Sequence, residues 1–209
     1  LIPAHLFSSH LFSYVSKAFM NHFPKKLESG APPRKRAPRM LSAFLPALEE
    51  VVMDSEIGCH LRAGAWVKLI KVWASLRFDD LAHLRSGMVK IYDGKFAGLM
   101  KRTKTTGAGK RVKELPFFVS EEAWVAHPDW VVVGLEALGR ALGGDFELVV
   151  PAGVSRPGEA FNAVMAYPEA VAWSGEVMQL LKGQTGARLV PDGWERFWTE
   201  HSERSTMPS

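Results

Sequence analysis

The spacing of the apolar residues changes between Leu81 and Met88, and this change constrains the fold more than any other feature of the chain. From Met40 to about Asp54, and again from Cys59 to Ser75, apolar residues recur every three or four positions. That period is typical of a helix with one buried face. From Met88 to Val119 the pattern is that of strands. The sequence therefore predicts an α+β fold, a mostly helical domain that carries a small sheet.

Three strands are predicted after the change in spacing. They span residues 88–92, 95–105 and 111–119, and Asp93-Gly94 between the first two is a strong signal for a tight hairpin turn. Pro116 has no N–H to donate, which favours an edge position for the third strand. We expect a three-stranded antiparallel sheet whose tip is basic.

The rest of the chain is expected to be mainly helical. Helices are predicted from Ser120 through Trp124, over residues 129–142 with a stop at Gly143-Gly144, and over residues 170–181 and 194–200. Residues 145–158 have a loop-like composition. Tyr167, which precedes a proline, is also assigned to a loop.

A basic, proline-rich stretch at residues 30–39 indicates a linker. It holds three prolines and four basic residues. We expect residues 1–37 to be the end of an upstream helical region with this linker, and residues 38–209 to form the main domain. The stretch has two open interpretations, a solvated linker or an arm that contacts phosphates or directs nuclear import.

Composition narrows the function classes. Cys59 is the only cysteine, which excludes a disulfide framework and a cysteine-rich zinc site. No apolar run is long enough for a membrane span, so no membrane partner is expected. The net charge of +4 permits a polyanionic partner without requiring one. A reducing compartment is expected, the nucleus in a eukaryote and the cytoplasm otherwise.

Four basic side chains and one acidic side chain form a set suited to a phosphodiester. Arg77 closes a helical stretch, with Asp80 three positions later, and Lys104 lies in the predicted hairpin. His201 and Arg204 form an H-x-x-R motif. Attack on a phosphodiester places extra negative charge on the non-bridging oxygens, which arginine forks can stabilise. Lysine can give a proton to the departing sugar oxygen, and histidine can assist proton transfer.

The order and setting of these residues resemble the catalytic domain of tyrosine recombinases, the phage-integrase type. The resemblance covers roughly residues 38–209 and includes the string Arg102-Thr103-Lys104-Thr105 and the box His201-Ser202-Glu203-Arg204. The sequence of residues 71–80 is most similar to sequences in recombinase-like proteins of eukaryotic mobile elements. The resemblance implies that Arg77 and Arg204 clamp the phosphate, that Lys104 is the general acid and that His201 supports both. Asp80 would orient Arg77 or its helix end.

The resemblance also implies partners and chemistry. Double-stranded DNA would be cut and rejoined through a 3′-phosphotyrosyl bond, with no metal or other cofactor, and a homo-multimer could assemble on the DNA. The family's nucleophilic tyrosine follows the H-x-x-R box, but no tyrosine follows Arg204 here. We therefore expect the chain to be a fragment that is inactive by itself. Phosphate contacts that position the duplex are expected from the basic residues of the hairpin, Lys101, Arg102, Lys110 and Arg111.

Two other functions stay open. A type IB topoisomerase-like enzyme would use the same chemistry without strand exchange, and it could act as a monomer. A decayed mobile-element protein would bind DNA without cutting it. Each motif also has an ordinary structural explanation, since Arg77 could pair with Asp80 at a helix end and hairpin lysines are usually solvated.

Overall fold

The computed structural model describes residues 38–101, 114–195 and 197–198. Along these residues, three helices and a 3-10 turn are followed by three strands, a helix, two strands and a last helix. None of the described helices is long and apolar enough to cross a membrane. The elements, in chain order, are α1 (Phe44–Met53), α2 (Cys59–Trp73), α3 (Phe78–Ala82), a 3-10 turn (Ser86–Met88), β1 (Val89–Tyr92), β2 (Lys95–Met100), β3 (Leu115–Val119), α4 (Trp130–Leu142), β4 (Pro151–Ala152), β5 (Phe161–Val164) and α5 (Tyr167–Leu180).

Helix α2 is the centre of the core. Every residue from Arg62 to Val72 is buried, because α1, α4 and α5 all pack against this helix. A helix that is covered on several sides needs apolar residues around most of its circumference. The two predicted helices over residues 40–54 and 59–75 are confirmed as α1 and α2, with ends that differ by a few residues.

Trp66 joins α2 to both the next helix and the sheet. Its indole Nε1 donates a hydrogen bond to the carbonyl oxygen of Val131 at 3.0 Å, and its ring meets Phe96 of β2 edge-on at 5.1 Å. Gly134 of α4 lies directly against the Trp66 ring, where an added Cβ would come within 2.1 Å of Cδ1. The close approach of α4 to α2 therefore requires glycine at this position.

The predicted antiparallel sheet is confirmed for the described residues. Its strand order is β1-β2-β3, and Tyr92 pairs with Lys95 across the Asp93-Gly94 turn. Both turn residues have positive φ, +50° and +68°, as a tight hairpin requires. Pro116 lies in β3, an edge strand of this sheet, as its missing N–H predicted. Residues 102–113, which include the ends of two predicted strands, lie outside the described residues.

A second, two-stranded sheet was not predicted. Residues 145–158 were expected to be a loop, but Pro151–Ala152 pairs as β4 with β5. Just before β4, Leu148 forms a β-bridge with Arg85, and the N–H of Val149 donates to the carbonyl of Leu84 at 2.8 Å. Strands this short show no recognisable periodicity in the sequence. Their pairings depend on contacts with distant parts of the chain, so a local pattern did not predict them.

The prediction of a helix from Ser120 through Trp124 was wrong. This stretch forms turns, closed by a hydrogen bond from the Ala123 N–H to the Ser120 carbonyl. The loop then bends around Glu49 of α1, whose fully buried carboxylate accepts the backbone N–H groups of residues 125–127 at 2.6 to 2.9 Å. Three N–H groups aimed at one carboxylate are incompatible with a continuing helix.

The predicted helices over residues 129–142 and 170–181 are confirmed as α4 and α5, and the start of α5 is corrected. Helix α4 ends at Gly143, whose φ is +69°, as predicted. Helix α5 begins at Tyr167, which was assigned to a loop, because Pro168 fits the first turn of a helix.

The predicted helix over residues 194–200 is not formed in its described part, which consists of turns. Trp198 is instead held by packing. Its ring meets Phe44 edge-on at 5.0 Å, and its Nε1 donates to the Arg39 carbonyl at 3.2 Å. Trp194, by contrast, is 40% exposed.

The Glu49 contact yields a stability prediction. Replacing Glu49 with Gln should lower the free energy of unfolding by about 2–4 kcal/mol, because a neutral amide accepts less strongly and turns a donor toward donors. Urea denaturation followed by tryptophan fluorescence measures the change.

Glu50→Gln is the matched control. Its carboxylate is exposed and contacts only the ring Nε2 of His127, at 2.9 Å, among the described residues. Such an exposed pair contributes at most about 1 kcal/mol. Equal stability losses in the two variants would show that Glu49 does not hold the loop.

Candidate active site

Arg77 begins a helix instead of closing one. Helix α2 ends at Trp73, and Ser75, with a φ of +52°, reverses the chain direction. Leu76 is buried and donates its N–H to the Lys71 carbonyl at 3.0 Å, which fixes the turn against α2. Arg77 then takes an extended conformation at the N-cap of α3. The sequence placed Arg77 at the end of the preceding helix, because the short reversal has no periodic signal.

Asp80 holds the backbone at Arg77. Its Oδ2 accepts the Arg77 N–H at 2.9 Å, and the Asp80 N–H donates to the Arg77 carbonyl at 3.1 Å. This is the carboxylate half of a capping box; arginine has no side-chain acceptor to supply the other half. The spacing of three residues therefore brings Asp80 into contact with Arg77, but the Asp80 carboxylate binds the main chain of Arg77 and not its guanidinium.

The guanidinium of Arg77 has no carboxylate partner among the described residues. The side chain is half-buried, and no hydrogen bond or ion pair joins it to another residue that the structure describes. A half-buried arginine usually pairs with an acidic side chain. Asp80 is close, but its Oδ2 already accepts the Arg77 N–H. A positioned arginine with free donors is suited to a phosphate.

Phe78 fixes the start of α3 from the other side. The Lys71 Nζ lies 5.8 Å from the centroid of its ring, and the ring of Tyr167 packs against it edge-on at 6.3 Å. Lys71 is fully buried and makes a further interaction, so the Phe78 contact is one part of its environment. Arg77 thus follows a reversal held by α2 and precedes a residue clamped between α2 and α5.

Lys101 is another predicted site residue that lies within the described part of the chain. Lys101 lies directly after β2, is exposed, and forms an ion pair with Glu114 at 3.6 Å. The structure gives no contact between Lys101 and Arg77. The convergence of the site stays a prediction, because most of its members lie outside the described residues: Arg102, Lys104, Lys110, Arg111, His201 and Arg204.

A groove of about 470 Å³ lies beside the sheet and was not predicted from the sequence. Arg85 on its wall belongs to no motif, and only its pairing with a distant segment reveals it. Within the described residues, no group of His, Cys, Asp or Glu side chains is arranged to hold a metal ion. The groove is lined by His83, Arg85, Met88, Lys101, Leu148 and Val164.

Comparisons with known proteins bear on the fold. No protein-family model and no curated protein matches the sequence. Among solved structures, the XerH site-specific recombinase bound to difH substrate, a pre-cleavage complex, matches with a TM-score of 0.51 and 13% identity over 84% of this chain and 43% of that one. XerH bound to palindromic difH, a post-cleavage complex, matches with a TM-score of 0.51 and 14% identity over 81% of this chain and 40% of that one.

The chain has a tyrosine-recombinase-like fold. The expected α+β architecture, mostly helical with a small antiparallel sheet, is confirmed by this likeness and by the observed elements. At 13–14% identity the likeness concerns the fold and not the reaction. The chain spans less than half the length of each XerH chain it matches.

The geometry around Arg77 predicts effects of different size on stability for two substitutions. Asp80→Ala should lower the free energy of unfolding by about 0.5–2 kcal/mol, because the helix start loses its capping carboxylate. Arg77→Ala should change stability by less than about 0.5 kcal/mol, because the guanidinium has no partner among the described residues.

Thermal and urea unfolding of both variants check this difference. If Arg77→Ala proved as destabilising as Asp80→Ala, the guanidinium would be a structural group, and its assignment to phosphate binding would fail.

Proposed function

We propose that this chain supplies the phosphate-binding part of a site-specific DNA recombinase that cleaves and rejoins strands through a 3′-phosphotyrosyl bond. The observation that carries the proposal is Arg77, held by its backbone at the start of α3 with guanidinium donors that no described residue engages. The fold is one that XerH also has, and XerH is known in complexes with its difH substrate before and after cleavage.

In the proposed reaction, the arginines stabilise charge. When a nucleophile attacks the phosphorus, negative charge builds up on the two non-bridging oxygens. Arg77 binds these oxygens from α3, and Arg204 of the H-x-x-R motif binds them from the other side. Fixed guanidinium groups need no reorganisation as the charge develops, so they favour the transition state over the bound substrate.

Proton transfer completes each step. The tyrosine oxygen forms a bond to phosphorus while the bond to the 5′ oxygen breaks, and Lys104 gives a proton to that leaving oxygen. His201 assists the phosphate contacts and takes the proton of the nucleophile. The phosphotyrosine conserves the energy of the broken bond, so a free 5′ hydroxyl can attack it and restore the DNA strand without another energy source.

Double-stranded DNA is the partner in this proposal, and recombination would require several copies of the protein on two sites. We also propose that the protein derives from a mobile element. The sequence of residues 71–80 supports this origin.

The chain should bind duplex DNA with little sequence preference and with strong salt dependence. Each phosphate neutralised by a lysine or arginine releases counterions, so the logarithm of the association constant should fall by about 0.9 per contact for each tenfold rise in salt. Fluorescence anisotropy of a labelled duplex, titrated at several salt concentrations, measures this slope. Binding that did not depend on salt, or no binding at low salt, would contradict a DNA-facing site.

A longer form of the protein with a tyrosine after Arg204 should form a covalent adduct with DNA. In that form Arg204→Ala should reduce adduct formation by about 10²–10³-fold. Lys104→Ala should slow cleavage of ordinary DNA but not of DNA whose leaving oxygen is replaced by sulfur, because a thiolate departs without a proton. Gel assays of the adduct measure both effects.

The 209-residue chain is the matched negative control, since its tyrosines, Tyr14, Tyr92 and Tyr167, all precede His201. If the sulfur substrate gave no rescue while folding and DNA binding were intact, Lys104 would not be the general acid. Adduct formation by the control chain would show that one of these three tyrosines is the nucleophile.

A further inference from the structure

We propose that the groove beside the sheet binds a second phosphate of the same DNA duplex, through Arg85 and Lys101. This inference rests on the proposed function, since it takes DNA as the partner. It adds Arg85, which no motif in the sequence indicates, and the residues that line the groove do not include Arg77.

The wall that carries Arg85 is firmly attached to the rest of the domain. Two backbone hydrogen bonds of 2.8 Å join residues 84–86 to residues 147–149, from Ser86 N–H to the Glu147 carbonyl and from Val149 N–H to the Leu84 carbonyl. The Ser86 hydroxyl donates to the Phe146 carbonyl at 2.7 Å. Arg85 therefore projects from a backbone that needs little ordering when a ligand binds, which lowers the entropic cost of binding.

Both cations of the groove have exchangeable partners. Arg85 pairs with Glu147, and these side chains are 59% and 58% exposed; Lys101 pairs with Glu114, with exposures of 55% and 47%. Exposed ion pairs contribute little stability and are screened by salt. A phosphate can take the place of either carboxylate at small cost, and it offers arginine two parallel hydrogen bonds.

The apolar lining of the groove favours a DNA backbone over a small anion. Met88, Leu148 and Val164 give the groove apolar surface in addition to its two cations. In duplex DNA, sugar carbons lie beside each phosphate and can cover such a surface, whereas a free phosphate ion would leave it in water. Lys101 is also the first residue of the basic segment 101–111, so the groove adjoins the part of the chain that we expect to follow the duplex.

Glu147 acts against binding in this arrangement. It holds Arg85 when DNA is absent, and it places a negative charge beside the incoming phosphate. Neutralising Glu147 should therefore strengthen DNA binding, whereas removing Arg85 should weaken it. A change in net charge alone would give the same two signs, so a specific contact at Arg85 is recognised by a larger loss of affinity than an equally charged control produces.

The test compares DNA affinities of the 209-residue chain and its variants at about 50 mM salt and above. Arg85→Ala should weaken binding of a labelled duplex on the order of tenfold at the low salt concentration and reduce the salt slope by about 0.9. Glu147→Gln should strengthen binding. Arg140→Ala is the control for lost charge, because Arg140 is similarly exposed and ion-paired, with Glu136 on α4.

Circular dichroism and thermal unfolding of each variant establish that it is folded. Arg85→Lys keeps the charge and should retain most of the salt slope. This conservative variant tests the contact even if Arg85→Ala fails to fold. Inorganic phosphate at matched ionic strength should displace DNA no better than chloride.

Equal affinities for Arg85→Ala and Arg140→Ala would overturn the groove as a DNA contact, whereas displacement by inorganic phosphate that depends on Arg85 would overturn its preference for a DNA backbone over a small anion. In both cases the wild-type chain still binds DNA, and the proposed function stands. Failure of the wild-type chain to bind any duplex at low salt would overturn the DNA function and the groove contact together.

Discussion

The burial of helix α2 is the constraint on which the rest of the structure depends. Trp66 at its middle reaches the Val131 carbonyl in α4 and the Phe96 ring in β2, and the absence of a side chain at Gly134 permits the close approach. A fully buried tryptophan contributes several kcal/mol to stability, so its position fixes both neighbours. The end of α2 then determines where the chain reverses, and the reversal places Arg77 at the start of α3. Arg77 is thus positioned by the core.

Elements whose signal is local could be predicted from the sequence. Helices α1 and α2 follow from apolar periodicity, the β1–β2 hairpin from Asp93-Gly94, and the end of α4 from Gly143. Elements that depend on distant residues could not. The turns before α4 form because the carboxylate of Glu49 binds three N–H groups more than seventy positions away, and a local pattern gives no sign of that contact.

The candidate site shows the same division. The spacing of Arg77 and Asp80 indicated a functional pair. The structure shows a hydrogen bond from the Arg77 N–H to the Asp80 carboxylate, and the functional role of the pair stays a prediction. The residue types did not reveal that Asp80 binds the main chain and leaves the guanidinium available. Nor did they reveal Arg85, which becomes a groove residue only through pairing with Leu148. The contribution of Lys104, His201 and Arg204 rests on order, spacing and resemblance, and it stays a prediction.

The central claim is that Arg77 and Arg204 bind the same phosphate, and site-directed cross-linking tests it most directly. Cys59 is the only cysteine, so Cys59→Ser provides a background in which Arg77→Cys and Arg204→Cys introduce one pair of thiols. Two arginine side chains that clamp one phosphate have backbones no farther apart than two extended side chains and the phosphate between them. A bis-maleimide with a linker of that length should therefore join the thiols within one chain, as seen by mass spectrometry of the digested protein. If each thiol reacts singly with a maleimide but the pair never cross-links, the two arginines do not share a phosphate, and the account is contradicted.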